Sequence, residues 1–187
     1  LKFINDTSNK ILPNKTKKAL KLYFSITNKI YKKNYWRFFL KKILNKIKQK
    51  KSNVLVIGLG YVGLPLLKTI VDSGFNGFGL DINKDLVKTL KNKNKRIALF
   101  NSYKDINFDL IDIIIIALPT PLKKINLPDL SYIEKCRDQI FKYIKKPTLI
   151  ILESTSYPGT TRELFVKKLK KNILLGRDIF IGYSPER

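Results

Sequence analysis

The stretch from Asn53 to Asp81 constrains the fold of this chain more than any other. It opens with Val54-Leu55-Val56-Ile57, a short β-branched run that reads as a parallel strand buried on both faces. The run stops at Gly58-Leu59-Gly60-Tyr61-Val62-Gly63, a G-x-G-x-x-G spacing. Val62, Leu66, Leu67, Ile70 and Val71 follow at spacings of three and four, so a helix is expected, closed by Ser73-Gly74. Gly77-Phe78-Gly79-Leu80 is then a second strand ending on Asp81.

The glycines have mechanical reasons. Gly58 permits the tight turn out of the strand, Gly60 lets the backbone approach a pyrophosphate, and Gly63 lets the helix pack close to the sheet. The helix start offers unpaired N–H groups and the positive end of its dipole to phosphate. Asp81 falls where a carboxylate would accept hydrogen bonds from a ribose. A glycine-rich turn alone occurs in many α/β proteins. Strand, turn, helix, strand and terminal acid in one unit point to a dinucleotide.

Composition narrows the rest. The chain's 187 residues suffice for one domain with a sizeable core and an extension. The formal net charge is +24 and uneven, with sixteen Lys/Arg and one acid, Asp6, in residues 1–52. Two readings of that excess stay open: a coding bias towards lysine, and attraction to anionic partners. Histidine is absent, which removes the usual general base and the usual zinc ligand, and no metal site is expected. The single cysteine, Cys136, excludes an internal disulfide and fits a cytoplasmic setting. No apolar run approaches the ~20 residues of a membrane span. Lysines interrupt every apolar run near the start, so no signal peptide is expected. With no initial Met and an end at Ser184-Pro185-Glu186-Arg187, the chain reads as a fragment.

Residues 1–14 are polar and expected to be poorly ordered. From Thr16 to Lys51, lysine is interleaved with aliphatic and aromatic residues. Trp36, Leu40, Ile43 and Ile47 share one helical stripe, with Phe39 and Leu44 beside it and Lys33, Arg37, Lys41, Lys42, Lys46 and Lys48 over most of the rest. Such a basic amphipathic helix either lies on an anionic membrane surface or packs its stripe on the domain or a partner subunit. Packing is the favoured reading, with at most weak membrane contact through residues 16–51 and no nucleic-acid partner.

Beyond Asp81, a short helix is expected over Asn83 to Leu90, with Leu86, Val87 and Leu90 inward, then a charged loop over Lys91 to Arg96 and a short strand over Ile97 to Phe100. Ile111 to Leu118 is the most apolar stretch and reads as a central strand, broken by Pro119-Thr120-Pro121. Pro128-Asp129-Leu130-Ser131 starts a helix in which Ser131 and Glu134 have capping-box spacing. Its stripe of Ile133, Cys136, Ile140 and Ile144 makes Cys136 a core residue rather than a nucleophile. Thr148 to Leu152 is another buried strand, ending at Glu153-Ser154-Thr155. Pro158-Gly159-Thr160 turns into a helix with Thr160 and Glu163 in capping-box register, and Asp178 to Gly182 is a last strand before Ser184-Pro185-Glu186.

This alternation predicts an α/β fold: a doubly wound, mostly parallel Rossmann sheet over residues 52–187, preceded by a basic helical extension over 1–51. Such sheets bind ligands at the carboxyl ends of their strands. That rule gathers the turn from Gly58 through Gly60, Tyr61 and Val62 to Gly63, with Asp81, Pro119-Thr120-Pro121, Glu153-Ser154-Thr155 and Glu186, into one cleft.

G-L-G-Y-V-G-L-P-L at 58–66, A-L-P-T-P-L at 117–122, P-D-L-S-Y-I-E at 128–134, E-S-T-S-Y-P-G-T-T at 153–161 and Y-S-P-E-R at 183–187 occur in this order. Together they resemble the N-terminal half of the nucleotide-sugar 6-dehydrogenases, and their wording is most similar to the UDP-N-acetylglucosamine 6-dehydrogenases. The resemblance covers about residues 52–187. It implies an NAD-dependent four-electron oxidation of a UDP-sugar, in which the C6 alcohol passes through a cysteine-bound thiohemiacetal and thioester to the uronate used in polysaccharide synthesis. It also implies a homo-oligomer at full length.

By the same resemblance, the glycine loop (Gly58, Gly60, Tyr61, Val62, Gly63) and Asp81 hold NAD, with Pro119, Thr120 and Glu153 beside it. Thr155 serves both the cofactor and the catalytic water, and Glu186 is the acid/base. Absence of histidine agrees, because water activation then falls to a carboxylate and a hydroxyl. Three departures stand out. The chain stops before the family's lysine, asparagine and cysteine nucleophile and its UDP-binding lobe, so NAD binding without turnover is expected of it alone. It is short between Asp81 and Ile111, and its start is unusually long and basic. Alternatives are a UDP-glucose or UDP-N-acetylmannosamine dehydrogenase, another Rossmann oxidoreductase, and a non-catalytic Rossmann binding module carried to an anionic surface.

Overall fold

Every residue of Val54–Ile57 and of Ile113–Ile116 is buried, because the sheet these runs form is covered on both faces. The computed structural model describes residues 35–93, 97–122, 128–169 and 173–185. Expectations for residues 1–34 and for Glu186 lie outside these. Six parallel strands, β1 (Asn53–Ile57), β2 (Asn76–Leu80), β3 (Ala98–Phe100), β4 (Ile113–Ile116), β5 (Thr148–Leu152) and β6 (Ile179–Tyr183), lie in the order β3-β2-β1-β4-β5-β6. Among the described residues the helices are α1 (Tyr35–Lys48), α2 (Gly63–Asp72), α3 (Lys84–Lys93), α4 (Ser131–Tyr143) and α5 (Thr160–Leu164). The strand order reverses between β1 and β4. Right-handed crossovers therefore send α2 and α3 to one face and α4 and α5 to the other.

Alternation along each strand fills the two layers separately. Val54, Val56, Ile113, Ile115, Leu149, Ile151 and Phe180 join Leu67 of α2, Val87 of α3 and Ile43 of α1 on one face. Leu55, Ile57, Ile114, Ile116, Ile150 and Leu152 join Ile133, Cys136 and Ile140 of α4, with Leu164 and Phe165, on the other. No helix links β3 to β4. A single 3-10 turn, Tyr103–Asp105, and the buried Ile106, Phe108 and Ile111 cover that part of the second face.

Helix α1 packs on the first face through Ile43, with Leu40 and Ile47 half-buried beside it. The side chains of Trp36 and Phe39 lie outside the description. A polar latch adds to the apolar contact. Asp112, the one acid within the isoleucine run, accepts from Lys46 Nζ of α1 (2.7 Å), Lys146 Nζ (3.0 Å) and the Asn53 N–H (3.1 Å).

Three local expectations need correction. Lys91 to Lys93 continue α3 instead of forming a loop, on a helix started by Asn83 Oδ1 accepting the Leu86 N–H. Ser131 and Glu134 form no capping box, because Ser131 is already inside α4 and Asp129 Oδ1 accepts its N–H instead. Nor do Thr160 and Glu163: α5 is entered through Gly159 at φ +98°, and Thr160 Oγ1 donates back to the Tyr157 carbonyl.

Candidate cofactor site

Pairing brings the strands to a common finish. Phe100 lies beside Leu80, Leu80 beside Ile57, Ile57 beside Ile116, Ile116 beside Leu152, and Leu152 beside Tyr183. One further rung is made by the residues that follow. Asp81 N–H donates to Phe100 O (3.1 Å), Gly58 N–H to Leu80 O (2.8 Å), and Ala117 N–H to Ile57 O (2.9 Å). Glu153 N–H donates to Ile116 O and Ser184 N–H to Leu152 O, both at 2.9 Å. The loops that carry the expected site residues thus leave the sheet level with one another, along the edge where the order switches.

The glycine turn is built for closeness. Gly58 has φ +91°, and a Cβ on it would stand 2.6 Å from the Ala117 carbonyl oxygen. A Cβ on Gly63 would collide with the Gly58 carbonyl, so α2 can start this near the turn only without one. Gly60 is different: apart from Gly60 itself and its two chain neighbours, no heavy atom lies within 4 Å of where its Cβ would be. Free space thus faces the backbone at the start of α2, where a pyrophosphate fits without a side chain in the way and meets the positive end of the helix.

Asp81 is oriented by the same turn. Its Oδ2 accepts the Leu59 N–H (2.8 Å) and its Oδ1 the Asn83 N–H (2.9 Å). A carboxylate offers about four lone-pair sites, so each oxygen keeps one for a ribose hydroxyl. Tyr61 stands almost wholly exposed at the turn, Val62 precedes α2, Pro119 is exposed, and Thr120 is half-buried beyond β4. Beyond β5, Glu153 is half-buried and Thr155 exposed, with Ser154 N–H donating to Ile116 O between them. Gly58, Gly60, Tyr61, Val62, Gly63, Asp81, Pro119, Thr120, Glu153 and Thr155 therefore come to one edge of the sheet. Glu186 lies outside the described residues.

Cys136 faces the core from α4, as its phase in the stripe requires. Burial pushes its thiol up to about 12, outweighing the Tyr103 hydroxyl, whose hydrogen bond acts the other way. Sequence reasoning missed Tyr183, whose hydroxyl accepts the Ser156 N–H and donates to the Ser156 carbonyl, both at 3.2 Å. Its position at the head of Y-S-P-E-R was the available signal.

Residues 52–187 match the model of the UDP-glucose/GDP-mannose dehydrogenase family, NAD binding domain. The chain belongs to this family. It is 40% identical over 148 residues to Protein CapL of Staphylococcus aureus, covering 72% of this chain and 35% of CapL. It is 34% identical over 158 residues to UDP-N-acetyl-D-glucosamine 6-dehydrogenase of Pseudomonas aeruginosa, covering 74% and 36%. Among solved structures, the UDP-N-acetyl-mannosamine dehydrogenase Cap5O from Staphylococcus aureus superposes with a TM-score of 0.64 at 29% identity, over 73% of this chain and 37% of that one. The chain spans about a third of the length of the curated relatives it matches. The cofactor of this family's domain is NAD, and the open turn at Gly60 with the half-used carboxylate of Asp81 fits it.

Proposed function

We propose that this chain is the NAD-binding part of a UDP-sugar 6-dehydrogenase that oxidises the C6 hydroxyl of UDP-N-acetylglucosamine to the uronate for polysaccharide precursor synthesis. The observation that carries the reading is the level row of strand ends, with free space at Gly60 and spare acceptors on Asp81. In this reading the glycine turn and the start of α2 take the pyrophosphate and Asp81 the adenosine ribose. Tyr61, Val62, Pro119, Thr120 and Glu153 line the cleft. NAD supplies a hydride acceptor. The Thr155 hydroxyl, exposed at the cleft edge, orients cofactor and water, and Glu186 moves the water's proton. A homo-oligomeric, cytoplasmic enzyme belongs to the same proposal.

The choice of sugar follows the Pseudomonas aeruginosa relative. The likeness to Cap5O favours a second reading, UDP-N-acetylmannosamine, the C2 epimer. An assay of the protein that carries this domain, with NAD and each sugar nucleotide in turn, separates them by NADH absorbance. We expect two NADH per UDP-N-acetylglucosamine. Turnover of the mannosamine epimer alone would transfer the assignment to it. NAD uptake by calorimetry with no turnover of either sugar would leave a non-catalytic Rossmann module.

A further inference from the structure

We infer that Tyr183 is a positioning residue for Thr155; the inference rests on the reading of Thr155 as a cofactor contact. Tyr183 ends β6 opposite Leu152, the last residue of β5. Beyond that pair the β5 chain arches over Glu153, Ser154, Thr155 and Ser156 before turning into α5 at Gly159. One foot of the arch is fixed to the central strand, where Glu153 and Ser154 N–H groups both donate to the Ile116 carbonyl, at 2.9 and 3.2 Å. The other foot is held by the Tyr183 hydroxyl, which grips Ser156 through both its N–H and its C=O. That N–H belongs to the peptide joining Thr155 to Ser156, so the grip fixes the direction in which the chain leaves Thr155.

Two further observations support this role. The Oγ of Ser156 is buried without a partner among the described residues, so hydrogen bonding holds Ser156 through its backbone. The Tyr183 ring packs against the second-face core, which gives the hydroxyl a fixed base. Removing only the hydroxyl, as in Tyr183→Phe, should keep that packing and release the foot.

The test is a double-mutant cycle on NAD affinity, measured by calorimetry on this chain, with Tyr183→Phe made alone and in a Thr155→Ala background. One hydrogen bond's worth of placement corresponds to roughly a two- to ten-fold loss. We expect that loss in the wild-type background and none beyond the Thr155→Ala effect in the double mutant, because a residue acting through Thr155 has nothing left to place. Amide exchange gives a second measurement that needs no variant: the Ser156 N–H should be protected in the native chain. An equal loss in both backgrounds, no loss in the wild-type background, or an unprotected Ser156 amide overturns the inference. Wild-type chain that takes up no NAD would instead defeat the wider functional reading, while the exchange result would still decide the tie.

Discussion

Leu59 and Asn83 donate their N–H groups to the two carboxylate oxygens of Asp81, so the acid is aimed before any ligand arrives. A charge-assisted hydrogen bond is worth about 1.5–3 kcal/mol, and Asp81→Ala should weaken NAD binding roughly ten- to a hundred-fold. A carboxylate there also repels a 2′-phosphate. Calorimetry giving equal affinities for NAD and NADP, or no loss in the variant, would remove Asp81 from the ribose. Cys136 makes the opposite kind of prediction. Burial raises its thiol to about 12, so it stays protonated and shielded at neutral pH, and a thiol reagent should label it only in the unfolded chain. Fast labelling of the native chain would contradict the core placement. Asp81 and Cys136 were legible because local spacing fixes their places. The tie of Tyr183 to Ser156 and that of Asp112 to Lys46 were not, because these partners come from 27 and 66 residues away.

Helix α1 shows what an element gains from such a distant partner. Its stripe of Leu40, Ile43 and Ile47 was readable as amphipathic and packing was the favoured reading, but the pattern could not say which surface receives the stripe. Asp112 bears on that choice, since Lys46 reaches it from α1 while Lys146 reaches it from the loop before β5. Removing the carboxylate strands the Asn53 N–H and separates two ammonium groups from their acceptor. Asp112→Ala should therefore cost about 1–3 kcal/mol, and Lys46→Ala, on a partly exposed side chain, less than about 1 kcal/mol. Acid should reproduce the loss. Burial pushes the Asp112 carboxyl up, but the Lys46 and Asn53 hydrogen bonds and Lys146 outweigh it and hold the group below its usual range. A lowered native value means that the unfolded chain takes up the proton first. The contribution is then complete above about pH 4 and fades as pH falls through the native value. Thermal melts of wild type and Asp112→Asn should converge below about pH 4; curves that stay parallel into acid would place the loss elsewhere. The two unformed capping boxes belong to this scale as well. Their S/T-x-x-E spacing is real, but Asp129 and the left-handed Gly159 set the helix starts, and spacing alone does not reveal backbone direction.

At the scale of the whole molecule, the doubly wound parallel sheet was legible because alternating strands and helices with right-handed crossovers leave few arrangements; the strand order itself came from the structure. What the sequence left open is the role of the basic start. The division into an extension over residues 1–51 and a Rossmann domain over 52–187 is a proposal, and the family match begins at residue 52. Yet Ile43 is only 6% exposed and shares its cluster with Val54, Ile113, Leu149 and Phe180, which belong to four different strands. Among the described residues, no helix is long and apolar enough to cross a membrane. An α1 that lay on an anionic surface would have to withdraw Ile43 from this cluster and Lys46 from Asp112. Burying one large aliphatic side chain is worth about 1.5–3 kcal/mol, and Leu40 and Ile47 add part of the same again. We therefore expect a chain cut to residues 52–187 to lose about 3–5 kcal/mol, to melt at lower temperature, and to bind an apolar dye at the uncovered half of the sheet. The intact chain should sediment only weakly with anionic vesicles, in a salt-sensitive way. Tight vesicle binding that vanishes on deleting residues 1–50, together with an unchanged melting temperature of the cut chain, would make α1 a surface anchor and not part of the core.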